Sequence, residues 1–273
     1  MTNSEFNDDD DVDNQHQYHS SKDDDDMIQW IQSLPKVELH AHLNGCIREE
    51  TLWELAQERN VQLNERHFPK DDPTVCHHYH YNHNTADHNM YNIRSRSLQV
   101  CFDMFAELPK CINDLPSLRR ITLEALEDFA KEHVTYLELR STPKQLLVDF
   151  RNKDKTMTNK YSYCTNVLDV IQSFEQSEME RYQKERKRVD LIPDGTKPRL
   201  PMICRFLIAV DRSQSTNDAM ENIDLAIRFH QEYPEYVVGV DLGGNPNNFI
   251  GRLSKNEDTI KAKIIWLPGH GSS

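Results

Sequence analysis

The sequence predicts an α/β fold: a parallel (β/α) barrel of the TIM type, incomplete, with about four βα units. Three observations predict it. Short apolar runs alternate with segments of helical periodicity, the rhythm of βαβ units and a parallel sheet. Each apolar run ends in a polar or glycine-containing turn, and α/β barrels keep their chemistry at that edge. A full eight-unit barrel typically takes ~250 residues. The 273 residues here supply only four clear units, because insertions and long helices consume the rest.

Order begins near Met27. From Val37 to His42 the chain alternates, with Val37, Leu39 and Ala41 pointing one way and Glu38, His40 and His42 the other, which predicts a strand. Asn44-Gly45 marks a turn, and a short helix follows on Leu52, Leu55 and Ala56. Residues 60–96 break the pattern. There His77, His78, His80, His83 and His88 stand among Tyr and Asn, the composition of a low-complexity insertion. Cys76, His77, His80 and His83 are all metal-ligand types, but their irregular spacing favours a loop. Helical periodicity returns at Leu98, Cys101, Phe102 and Phe105, and again at Leu118, Ile121, Ala125 and Phe129.

A second strand, Val134 to Leu139, leads into Arg140-Ser141-Thr142-Pro143, where proline stops it. Val167, Leu168, Ile171 and Phe174 mark the next helix, and the charged insertion 175–201 extends it before turning into loop. Strand three is Ile203 to Val210, ending at Asp211. A helix on Met220, Ile223 and Ile227 follows, then strand four, Tyr236 to Leu242, ending in Gly243-Gly244-Asn245-Pro246. The expected division is a disordered acidic tail (1–26), a partial barrel domain (27–250) and a divergent C-terminal tail (251–273).

Composition narrows the function classes. The net charge is −13, and Asp8 to Asp11, Asp13 and Asp23 to Asp26 concentrate it at the N-terminus, where almost nothing apolar could offset the entropy of ordering. That stretch reads as a solvated leader or an interaction tail. So acidic a chain is a poor match for the phosphates of nucleic acid. No apolar run approaches the ~20 residues that span a bilayer, so no membrane partner is expected. The beginning lacks a signal-peptide layout, and the six cysteines form no CxxC pair. They read as reduced thiols of a cytoplasmic protein.

The motif with the most chemistry is His40-Ala41-His42. Two residues apart on a strand, both imidazoles project from one face, so their nitrogens can converge on one ion, and neutral imidazole suits zinc. Chance also produces His-x-His on surface strands, so context decides. The context is Leu34-Pro35-Lys36-Val37-Glu38-Leu39-His40-Ala41-His42-Leu43-Asn44-Gly45. It is followed in order by Tyr136 to Pro143, Phe206 to Arg212 and Val237 to Pro246.

These four motifs resemble the adenosine deaminase superfamily, most closely its adenosine deaminase-like branch, which acts on N6-methyl-AMP. The resemblance covers roughly residues 27–250. It implies a barrel of the metal-dependent hydrolase kind with one zinc ion per subunit, held by His40 and His42. It also implies a purine-nucleotide site made by His42, Asn44, Ser141, Thr142, Pro143, Lys144, Asp211 and Gly244, with Lys144 and the hydroxyls holding a phosphate. Gly244 would let its backbone approach the purine closely. The implied reaction is hydrolytic deamination in nucleotide salvage, N6-methyl-AMP giving IMP and methylamine, by a protein that is monomeric when complete.

The sequence departs from the family in several places. A histidine expected near Pro109-Lys110 has no counterpart, and Gly243 and Asn245 replace the usual serine or alanine and aspartate. The third zinc histidine and the proton-shuttling glutamate belong to a fifth strand. After Pro246 the chain offers His270 without a following glutamate, so no catalytic residue is assigned. The expectation is therefore a shortened chain of low activity. Alternatives are a non-catalytic nucleotide-binding fragment, adenosine deaminase proper, or a phosphoesterase that also opens with His-x-His.

Overall fold

The computed structural model describes residues 22–64, 67–68, 98–189 and 198–245. The histidine-rich stretch, most of the acidic tail and the C-terminal tail lie outside the described residues. In chain order the elements are α1 (Lys22–Ser33), β1 (Lys36–His42), a 3₁₀ turn (Leu43–Gly45), α2 (Glu49–Glu58), α3 (Leu98–Phe105), α4 (Leu108–Cys111) and α5 (Leu115–Lys131). There follow β2 (Val134–Ser141), α6 (Lys160–Val189), β3 (Ile203–Asp211), α7 (Thr216–Glu232) and β4 (Val237–Gly243). The four strands form one sheet in the order β1-β2-β3-β4, every neighbouring pair parallel. A parallel sheet with helical crossovers is what the alternating pattern predicts, and all four expected strands are present.

Burial explains why these segments take these shapes. On the helix-facing side of the central strands, Leu137, Leu139, Cys204, Phe206 and Ile208 retain no exposed surface. Helix α5 covers them with Leu118, Ile121, Ala125 and Leu126, and α6 with Tyr163, Cys164, Val167, Leu168 and Ile171, each set at helical spacing. Each such aliphatic side chain contributes about 1.5–3 kcal/mol on burial. Helix α5 starts at a defined point because Asp114 caps it. Its carboxylate accepts from Ser117 N at 3.0 Å, while Arg59 Nη2 holds the same oxygen at 2.9 Å.

Four details differ from the sequence reading. Helix α1 starts at Lys22, so Asp23 to Asp26 belong to a helix rather than to the tail. Leu63 and Phe68, inside the span 60–96 read from the sequence as an insertion, are buried in the core. On α7 the inward stripe is Asn222, Ala226 and Phe229, and Met220 is 51% exposed. The reason is that Asn222 donates from Nδ2 to Ala209 O and Gln214 Oε1, tying the helix to the end of β3 by polarity rather than hydropathy.

The fourth difference lies in β1. Glu38 is in register with Leu137 and Ala41 with Leu139, so three steps of β1 match two of β2. The ladder slips at Leu39–His40, a β-bulge, and this sets Glu38 on the side of Ala41 rather than with the histidines. Strict alternation therefore holds only from His40 to His42, the part that matters for the site.

Candidate functional site

The bulge leaves His40 and His42 on one face with Ala41 turned into the core between them. Their Nε2 atoms lie 3.2 Å apart, and the ring planes are tilted by 55°. Two imidazole nitrogens at two corners of a tetrahedral zinc sphere, each ~2.0–2.1 Å from the ion, stand about 3.3 Å apart. The pair therefore fits half of a zinc site. Burial of part of its ring pushes the His42 pKa below the ordinary histidine value. Asp241 opposes that shift, while His40 and Arg140 reinforce it. The neutral imidazole so favoured is the form that ligates a metal. Among the described residues no third histidine, cysteine or carboxylate completes a metal-holding group.

Across the concave face the end of β4 comes close to this pair. A side chain built on Gly243 would lie 3.8 Å from His42 Cε1 and 3.3 Å from Asp241 Oδ2. Strands β1 and β4 are the outermost of the sheet, so contact between them shows how strongly the sheet curls. Gly244 takes φ +89°, and a Cβ there would lie 2.9 Å from Asp211 Cγ and 3.1 Å from Arg212 N. Glycine is required twice over, by conformation and by space. Asp211 is held in place by Ser213, whose N and Oγ both donate to Oδ1 at 2.7 Å. Arg212 N donates to Gly243 O at 3.1 Å, which locks the two turns together.

The residues expected from the sequence all sit at the C-terminal edge of the sheet: Asn44 in the turn after β1, Ser141 to Lys144 at the end of β2, Asp211 at the end of β3, and Gly244 just past β4. Two of them differ in what they offer. Ser141 is buried, and its hydroxyl lies 2.6 Å from the hydroxyl of Tyr163 on α6, so its side chain serves the helix–sheet layer. Burial also pushes the Lys144 ammonium below the ordinary lysine pKa. No carboxylate pairs with it among the described residues. A half-buried cation at this edge is suited to an anionic ligand.

Sequence reasoning quoted Arg140 and Asp241 within their motifs but singled out neither. Arg140, 6% exposed, donates from Nη1 to Asp241 Oδ1 at 2.8 Å and from Nη2 to Leu39 O. The pairing itself leaves no local signal, and only the charge of Asp241 between Val240 and Leu242 hints at a buried ionic group.

The family model for adenosine deaminase matches residues 35–258. The N6-mAMP deaminase of Arabidopsis thaliana is 35% identical over 224 residues, covering 80% of this chain and 54% of that protein. The N6-methyl-AMP deaminase of Danio rerio is 30% identical, with 80% of this chain and 49% of that protein covered. A crystal structure of the Arabidopsis protein ADAL complexed with IMP superposes with a TM-score of 0.52 at 34% identity, covering 83% of this chain and 56% of that one. The chain thus spans about half the length of the curated relatives it matches. No helix among the described residues is long and apolar enough to cross a membrane.

Proposed function

The chain belongs to the adenosine deaminase family, and from that premise we propose that it serves the zinc-dependent hydrolytic deamination of a 6-aminopurine nucleotide. N6-methyl-AMP, giving IMP and methylamine in nucleotide salvage, is the preferred substrate. One observation carries the reading: two imidazole nitrogens 3.2 Å apart at the mouth of a curled parallel sheet. The relatives named for N6-methyl-AMP and the IMP complex of the Arabidopsis protein support the substrate class.

His40 and His42 hold the metal. When bound, zinc supplies a hydroxide nucleophile near neutral pH for attack at C6 of the purine. Gly244 and Asp211 shape the wall against which the base lies, and Thr142, Pro143 and the Ser141 backbone line the mouth beside it, with Asn44 opposite. Lys144, half-buried at the end of β2, meets the phosphate. The proton-relay glutamate that the family carries on a fifth strand has no counterpart on the four described strands. General acid–base help of that kind is worth about 10²–10⁴-fold. The free cysteines among the described residues favour a reducing, cytoplasmic setting.

Calorimetry of the zinc-loaded chain tests this. IMP is expected to bind at least about tenfold (roughly 1.4 kcal/mol) more tightly than inosine, and Lys144→Met to erase the difference. Equal affinity for the two ligands would remove the nucleotide reading.

A further inference from the structure

The interior of the sheet carries one polar contact that the metal and nucleotide roles do not use. The bulge at Leu39–His40 removes the Leu39 carbonyl from the ladder, and Arg140 Nη2 takes it. The same guanidinium reaches across the concave face to Asp241 Oδ1 at 2.8 Å. Its side chain is 7% exposed and that of Asp241 13%. Among the described residues three buried side-chain polar atoms have no hydrogen-bond partner, and two of them are Arg140 Nε and Asp241 Oδ2.

Buried polar groups are nearly always satisfied, so two such vacancies in one ion pair point to a requirement other than stability. Their position indicates what it is. Asp241 Oδ2 and His42 Cε1 both lie within 4 Å of the same point above Gly243. His42 is also the residue in register with Arg140.

We propose that Arg140 is a positioning residue for the metal pair. Its guanidinium fork locks the β1 bulge that turns His40 toward His42, and it holds Asp241 so that one carboxylate oxygen stays free beside His42. Two tasks in two directions need a planar fork. Lysine, a point charge on a flexible stem, serves only one of them. The inference rests on the metal reading above.

Cobalt(II) added to the full chain is the probe, because its visible absorption reports coordination geometry. The parent is expected to show bands of low-coordinate cobalt. Arg140→Lys should keep the parent's circular dichroism, lose at least tenfold in cobalt affinity and change the band shape. Asp241→Asn, which is isosteric and still accepts from Arg140, should keep the parent's circular dichroism and lose at least threefold in cobalt affinity. Asp241→Asn decides the matter if Arg140→Lys does not fold. Parent-like bands and affinity in the folded variants would overturn the assignment and leave the metal reading standing. A parent without cobalt bands would remove both.

Discussion

Gly244 is where conformation and chemistry meet at the level of one residue. Its φ of +89° and its approach to Asp211 leave no room for a side chain. Gly244→Ala is expected to cost about 1–3 kcal/mol for the backbone alone, read by urea denaturation, and to weaken nucleotide binding as Asp211 moves. A change under about 0.5 kcal/mol would show that the turn relaxes freely. The family resemblance, not the neighbouring residues, drew attention to this glycine, and the close approach in the structure is to Asp211. The histidine pair was legible from the residues themselves, since positions two apart on a strand share a face. Ser141 was misjudged on its side chain. Nothing in its neighbours indicates that Tyr163, 22 positions later, takes its hydroxyl. Pairings between distant positions leave no local signature, and the Arg140–Asp241 contact escaped for the same reason.

Elements were more legible than contacts. All four strands follow from apolar runs that end in turns, and α5 and α6 follow from stripes that bury Leu118, Ile121, Val167 and Ile171. The bulge in β1 was not legible, because it is a property of pairing with β2 and period-two reasoning assumes an unbroken ladder. Helix α7 was read one face off, since its buried position is the polar Asn222. Helix α6 carries a charged stretch whose role the structure makes plain. Glu178, 6% exposed, accepts from Arg181 on its own helix at 3.0 Å and from Arg199 at 2.8 Å, and Arg199 also donates to Ala130 O at the end of α5.

Burial pushes the Glu178 carboxyl up, but the bonds from Arg181 and Arg199 outweigh it, and the group rests below the ordinary glutamate value. A depressed carboxylate stabilises the fold above its unfolded pKa of about 4.3 and loses that contribution as pH falls through the folded value. Glu178→Gln should therefore lower stability at pH 7 by about 1–3 kcal/mol, and the difference from the parent should shrink toward zero at an acid pH below the carboxyl's folded value. Denaturant melts at the two pH values check this. A difference independent of pH would mean the pairing contributes nothing through charge.

At the scale of the molecule, the described sheet ends at β1 on one side and at β4 on the other. Apolar side chains stand exposed on both, Val37 at 62% and Leu39 at 54%, Val240 at 43% and Leu242 at 50%. Open strand edges with apolar neighbours invite pairing. Sedimentation velocity of the chain by itself should show association rising with concentration, and Leu39→Lys with Leu242→Lys should suppress it. A single 32.1 kDa species at every concentration would count against exposed edges of this kind. The chain covers about half of its relatives' length, and its described part includes the His40–His42 pair and the C-terminal edge of the four-stranded sheet.

The claim on which the rest depends is that His40 and His42 share one cation. X-ray absorption of the chain loaded with one equivalent of zinc tests it most directly. The predicted spectrum shows two imidazole nitrogens at ~2.0–2.1 Å, with their outer-ring scattering halved in His42→Asn. A spectrum of oxygen neighbours alone, identical in the parent and the variant, would contradict it.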